Sequence, residues 1–148
     1  MTPAPSIRAA TVRDRDAVHA LLRGEALPLD GLPEDLAHFL VAEQDGALVG
    51  VIGLEPYGEA GLLRSAAVAP AVRGTGLGAR LVTALVGAAR AAGIRELTLL
   101  TTTAEGWFPR FGFERIAREE AAASLQASAE FRGACPASAT TMRLRLAE

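Results

Sequence analysis

The sequence predicts a single mixed α/β domain over residues 1–148, and three observations predict it. Residues 62–101 run as apolar strand, glycine-rich loop, long periodic helix and apolar strand, a βαβ unit with parallel strands and a right-handed crossover. Asp45-Gly46 separates two apolar runs, and glycine there accepts the positive φ of a tight hairpin turn. The chain has 148 residues, 50% of them hydrophobic, which fits one core.

The elements follow in order. Residues 1–5 read as a tail and Ser6 to Ala10 as a short strand. Thr11 with Asp14 three places on has capping-box form, Asp standing where Glu is usual. The helix it opens carries Val18, Leu21 and Leu22 on one side and stops near Gly24. Pro28 to Pro33 is rich in turn formers, and a short helix over 34–38 is expected after it. Phe39 to Gln44 and Ala47 to Leu54 are the hairpin strands. A turn around Pro56-Tyr57-Gly58 leads to a strand over 62–69, which Pro70 stops. Over 76–92, Leu77, Leu81, Leu85, Ala88 and Ala92 share one helical stripe, and Gly93 is placed to cap it. Glu96 to Thr101 is the next strand. Thr103 is expected to cap a short helix through Phe108, with Pro109 distorting its last turn. Phe111-Gly112-Phe113 leads into a strand to Ala117, and residues 119–131 read as an Ala-rich helix. Gly133 to Pro136 breaks it, and 140–146 alternates as a final strand.

Composition narrows the function. A formal net charge of −2 lacks the basic footprint of a nucleic-acid binder. Cys135 is the single cysteine, and with His19 and His38 scattered, neither a disulfide nor a metal site is expected. The start Met-Thr-Pro-Ala-Pro-Ser has no basic region followed by an apolar run, so no signal peptide is expected. Apolar stretches end well short of a membrane span, and a cytoplasmic location is the expectation.

The junction from Arg73 to Ala79 carries the chemistry. Gly74, Gly76 and Gly78 stand between a strand and a helix, where missing Cβ atoms let an anion approach the backbone. The first helix amides have no internal partner, the helix dipole adds positive charge, and Arg73 adds a fork of donors. Together they suit a pyrophosphate. A dinucleotide fingerprint fits poorly, because Pro70 to Arg73 intervene after the strand and Glu96 begins the next strand rather than ending it. A nucleoside-triphosphate loop would need Gly-Lys-Ser/Thr, which is absent. A purely structural turn is the remaining alternative.

Arg73-x-x-Gly76-x-Gly78, the lead-in Ser65-Ala66-Ala67-Val68-Ala69-Pro70, and Phe111-Gly112-Phe113 together resemble the GNAT superfamily of acyl-CoA N-acyltransferases. The resemblance covers nearly the whole chain. It implies a mixed, mainly antiparallel sheet splayed at its central parallel strands, with helices on both faces. It implies acetyl-CoA as co-substrate, its pyrophosphate on the amides of Gly74, Thr75, Gly76, Leu77, Gly78 and Ala79. The backbone of Ala66, Ala67 and Val68 would pair with the pantetheine, and the thioester would lie between residues 65–68 and 98–102. A closer resemblance, to the N-acetyltransferases of arsenic-resistance operons, rests on Leu62-Leu63-Arg64-Ser65, Leu100-Thr101-Thr102-Thr103-Ala104, Cys135-Pro136-Ala137-Ser138-Ala139 and the Gly31 to Phe39 segment. It implies acetylation of the α-amino group of a small amino acid or mimic, glutamate-like or arsenical. The partners expected are that small amine and, at most, a second copy of the chain, with no nucleic acid and no membrane.

Acetyl transfer needs a proton acceptor for the amine, alignment, and stabilisation of the carbonyl oxygen. Glu55, just past the strand ending at Leu54, is the candidate base; the alternative is a solvated carboxylate at a turn. Glu59 is second, and Glu43 reads as an exposed charge beside the hairpin turn. Many family members carry Tyr four residues before the Gly of Gly-Phe to protonate the CoA sulfur. Here that position is Phe108, which has no proton to give, so it is expected to pack beside the cofactor. Arg64 matches a substrate carboxylate, or else pairs with Glu59 or faces solvent. Tyr57, Thr101, Thr102 and Cys135 are further candidates to line the acceptor pocket. Peptide N-terminal acetylation and a non-catalytic acetyl-CoA sensor remain as other readings.

Overall fold

In a computed structural model of the protein, residues 4–135 and 138–146 are described. Residues 1–3 of the expected tail, Pro136 and Ala137 of the expected break, and residues 147–148 lie outside them. Two compact units emerge, Met1–Gly53 with Ser65–Leu85, and Leu54–Arg64 with Val86–Glu148.

The first unit holds β1 (Ser6–Ala9), α1 (Arg15–Gly24) and β2 (Phe39–Gln44). It also holds the first part of β3 (Ala47–Tyr57), the last part of β4 (Ala60–Val68) and the first part of α2 (Leu77–Ala91). The order β1-β2-β3 is antiparallel throughout, with Ser6 opposite Glu43 and Gln44 opposite Ala47. Asp45 and Gly46 take φ of +53° and +79°, the mirror-image turn that matches strand twist, so the hairpin forms where the sequence predicts it. The capping box also forms: Thr11 N–H donates to Asp14 Oδ2 at 2.8 Å. Arg8 on β1 donates to both oxygens of Asp14 at 2.9 Å, so the start of α1 is fastened to the first strand. Val18 and Leu22 of α1 pack with Leu36, Phe39, Val41, Val51 and Ala67. The Phe39 ring fills the space left by Gly53, where a Cβ would lie 2.4 Å from it.

The helix expected over 34–38 is a turn. Leu36 and His38 adopt φ of +54° and +65°, which no right-handed helix admits. The Asp35 carboxylate accepts from Ala37 N–H, so the side chain serves the turn rather than a helix.

The second unit holds β5 (Glu96–Thr101), β6 (Glu114–Ile116) and β7 (Thr140–Arg145), in the order β4-β5-β7-β6. The βαβ expectation holds: β4 and β5 are parallel, with Ala60 opposite Glu96 and Leu62 opposite Thr98. Among the described residues that pairing ends at Leu62, while β5 continues beside β7 to Thr101 opposite Thr140. Gly93, at φ +83°, ends α2 as expected. The C-terminal strand stops at Arg145, and the strand after Gly112 is limited to Glu114–Ile116.

Two helices expected in this unit are corrected. No helix forms over 103–108: residues 105–107 make a turn, with Trp107 N–H donating to Ala104 O, and Phe108–Phe111 is a 3-10 helix with Pro109 in its first turn, where a missing N–H does no harm. Over 119–131 there is no continuous helix. Arg118–Glu120 and Ala123–Ala127 are 3-10 turns, and Glu130–Ala134 is a wide π-type turn containing Gly133 at φ +126°. Packing overrides alanine's helix propensity here, because Ala121, Leu125 and Phe131 all turn inward onto Ala60 and Leu62.

Candidate active site

In the first unit, Gly74 and Gly76 take φ of +79° and +86°, conformations that favour glycine. A Cβ at either would meet no atom within 4 Å, so the backbone is approachable from outside. The Thr75 hydroxyl donates to Val72 O at 2.6 Å and fixes the loop. The amides that begin α2 at Leu77, Gly78 and Ala79 have no carbonyl to serve within the helix. These residues fit a pyrophosphate: donors, dipole and open backbone coincide. The Arg73 guanidinium lies at the same junction, exposed, and forms an ion pair with Glu25 at the end of α1. Ala66, Ala67 and Val68 close β4, and Ala67 is buried in the core around α1. Ser65, just before them, sits within a strand at φ +59°.

In the second unit, the structure brings together four of the residues singled out in the sequence. Arg64 is fully buried, with 0% of its side chain exposed. Its Nη1 donates to Glu55 Oε1 at 2.5 Å, and its Nε lies 3.5 Å from Glu130 Oε2. Tyr57 donates its hydroxyl to the other Glu55 oxygen at 2.5 Å. Cys135 hydrogen-bonds the Glu130 side chain. Burial pushes the Tyr57 hydroxyl up to about 12, and its bond to Glu55 adds to the effect. Burial, then Glu130, pushes the Cys135 thiol up to about 12. Both groups therefore hold their protons near neutrality and serve as donors. Burial raises Glu130 above the ordinary carboxylate value, against the pull of Arg64.

Thr101, Thr102 and Phe108 stand apart from that network. Thr101 Oγ1 accepts from Ala104 N–H at 2.9 Å and shapes the turn after β5, while Thr102 is exposed. Phe108 is buried edge-to-face against Trp107 and Phe113. Glu130 escaped the sequence reading, since nothing local links a carboxylate in an Ala-rich stretch to an arginine on a distant strand. Glu25 likewise carries no local sign that it meets Arg73. For Arg64, an acceptor carboxylate would have to displace one of the chain's own.

An open-backbone loop at a helix start, on a strand-loop-helix-strand frame, is that of an α/β protein with a junction suited to an anion. Residues 35–115 match the family model described as an acetyltransferase (GNAT) domain. The chain belongs to the GNAT acetyltransferase family. It is 38% identical over 118 residues to an amino-acid acetyltransferase of Ralstonia nicotianae, covering 72% of this chain and 26% of that protein. The chain thus spans about a quarter of the length of such curated relatives. Its fold matches N-acetylglutamate synthase from Neisseria gonorrhoeae complexed with coenzyme A and N-acetyl-glutamate, at TM-score 0.83 and 26% identity, over 99% of this chain and 36% of that one. A Mycobacterium tuberculosis protein in complex with CoA and NLQ matches at TM-score 0.79 and 26% identity, over 95% and 99% of the two chains. Among the described residues no cluster of His, Cys, Asp and Glu could hold a metal, and no helix is long and apolar enough to cross a membrane.

Proposed function

We propose that residues 1–148 act as one domain that moves acetyl from acetyl-CoA to the α-amino group of a small amino acid or amino-acid mimic. The observation that carries the proposal is the loop from Arg73 to Ala79, with Gly74 and Gly76 at positive φ and open to a ligand. The named activities and bound ligands of the relatives agree with it. Glu55 accepts the proton of the acceptor ammonium. The freed nitrogen bonds to the carbonyl carbon and gives up a second proton to solvent, the C–S bond breaks with its electron pair going to sulfur, and solvent protonates the CoA thiolate. Phe108 leaves no tyrosine proton at that position of the motif, so the thiol's own acidity supports unassisted departure. Arg64 holds the Glu55 carboxylate rather than a substrate's. The arsenic-operon resemblance adds arsenical amino acids to the acceptors worth testing.

Thiol release from acetyl-CoA with glutamate, other amino acids, phosphinothricin and arsenical analogues tests the reading. Turnover with at least one free amino acid is expected. CoA binding with no turnover on any amine would leave a sensor, and turnover on peptides alone would leave a peptide N-acetyltransferase. Glu55→Gln should lower kcat by about 10²-fold or more, the usual contribution of a general base, and flatten the acid limb of the pH–rate profile.

A further inference from the structure

We infer that Glu130 is a positioning residue for acetyl transfer, acting on Glu55 through the Arg64 they share. This inference rests on the reading of Glu55 as the proton acceptor. Arg64 has no solvent to screen it, so its charge must be balanced by groups of the chain. Two carboxylates approach it from different sides, Glu55 at Nη1 and Glu130 at Nε. During turnover Glu55 becomes neutral as it takes the amine's proton. With Glu55 as sole counter-charge, that step would strand a buried guanidinium, which opposes proton uptake. Glu130 remains to balance Arg64 through the step. It also holds the second end of the guanidinium, so the Arg64 fork keeps its angle toward Glu55.

Glu130 is itself held. Cys135 hydrogen-bonds its carboxylate, and Cys135 N–H donates to Glu130 O at 3.2 Å. Arg118 donates to the carbonyl oxygens of Glu130 at 3.5 Å and Phe131 at 3.2 Å and stacks over the Phe131 ring. The Ser128 hydroxyl accepts from Phe131 N–H at 3.2 Å. Among the described residues, the titratable and charged groups that face the unit include Glu55 and Tyr57 from β3, Arg64 from β4, and Arg118 and Cys135 from the segment before β7.

The test measures kcat, KM and full pH–rate profiles of the whole chain and of the variants Glu130→Gln, Glu130→Asp and Glu55→Gln, with CoA affinity as a control. Glu130→Gln should lower kcat about tenfold to a hundredfold, the scale of misplacing a catalytic group by about 1 Å. It should also move the acid limb toward lower pH, because Arg64 then has one carboxylate fewer beside Glu55, while CoA affinity stays unchanged. Glu130→Asp keeps the charge but shortens the reach, so it should restore the limb and leave a smaller loss of kcat. If Glu130→Gln does not fold, Glu130→Asp alone decides, and a wild-type kcat in it overturns the inference. A Glu130→Gln enzyme that is merely less stable, with unchanged kcat and unchanged limb, also overturns it. If Glu55→Gln keeps wild-type turnover and profile, the reading of Glu55 fails and this inference falls with it. A defect in Glu55→Gln beside normal Glu130 variants sinks this inference alone.

Discussion

Arg64→Ala gives the most direct test of the buried network. The guanidinium is fully buried and lies within ion-pair distance of two carboxylates, Glu55 with 16% and Glu130 with 4% side-chain exposure. Removing one partner of a buried pair costs about 3–5 kcal/mol, and the contacts left behind, Tyr57 on Glu55 and Cys135 on Glu130, are neutral donors that do not replace a cation. Against the ~5–15 kcal/mol that holds a domain of this kind together, that is a large fraction. At about 2–4 °C per kcal/mol for this size, the midpoint should fall by roughly 6–20 °C. The loss should also depend on pH. Glu130 already titrates above the ordinary value in the folded state, so the fold binds its proton more tightly than the unfolded chain does. Stability from such a group is present at low pH and lost as pH rises through the raised folded value. Without Arg64 that rise grows, so the deficit should be largest near neutral pH and shrink as pH falls toward the ordinary carboxylate range. Urea titrations of both proteins at several pH values measure this. A deficit below about 1 kcal/mol, the worth of an exposed pair, or one independent of pH, would refute the account.

Other outcomes follow from the loop and the first helix. Gly76→Glu should weaken CoA binding on the order of a hundredfold or more by calorimetry, since φ +86° strains any side chain and the carboxylate repels phosphate; unchanged affinity would remove the loop as the cofactor site. Glu25→Gln frees Arg73 from an exposed pair worth at most about 1 kcal/mol, so acetyl-CoA should bind up to about fivefold tighter. No gain there would take Arg73 out of phosphate binding. Asp14 is held down at about 2, first by its bonds to Arg8, so its stabilisation is present above the ordinary value of 3.8 and is lost as pH falls through about 2. Asp14→Asn should then cost about 1 kcal/mol at neutral pH, discounted because Arg8 lies at the surface, and the gap between the two proteins should close in acid. A gap that persists at low pH would count against that pair.

What the sequence shows is what local backbone geometry decides. Asp45-Gly46 and the Gly74 to Gly78 loop were legible because positive φ has few residue solutions, and Gly93 ended its helix for the same reason. The long stripe of α2 was legible because its period repeats over several turns. The segment after Ala117 was not, since alanines favour a helix in isolation while Ala121, Leu125 and Phe131 must each reach the same apolar floor. Leu36 gave no sign of left-handed backbone, which leucine disfavours, and His38, of a type found there more often, carries too weak a preference to mark the turn alone. Of the candidate site, the glycine loop and the joint selection of Glu55, Tyr57, Arg64 and Cys135 came from the sequence. The orientation of Arg64 did not, because an arginine between Leu63 and Ser65 on an apolar strand carries no local mark of what it will meet.

The broken segment from Arg118 to Ala134 has a consequence for how such a protein changes over time. A continuous helix would tie every residue to neighbours three and four places away, and one exchange would disturb a whole face. Short turns pinned at Ala121, Leu125 and Phe131 have no such register to keep. Exchanges and small insertions between the pins leave the strands beneath untouched. The stretches between these pins are thus more open to drift than Phe131 and the Glu130 beside it.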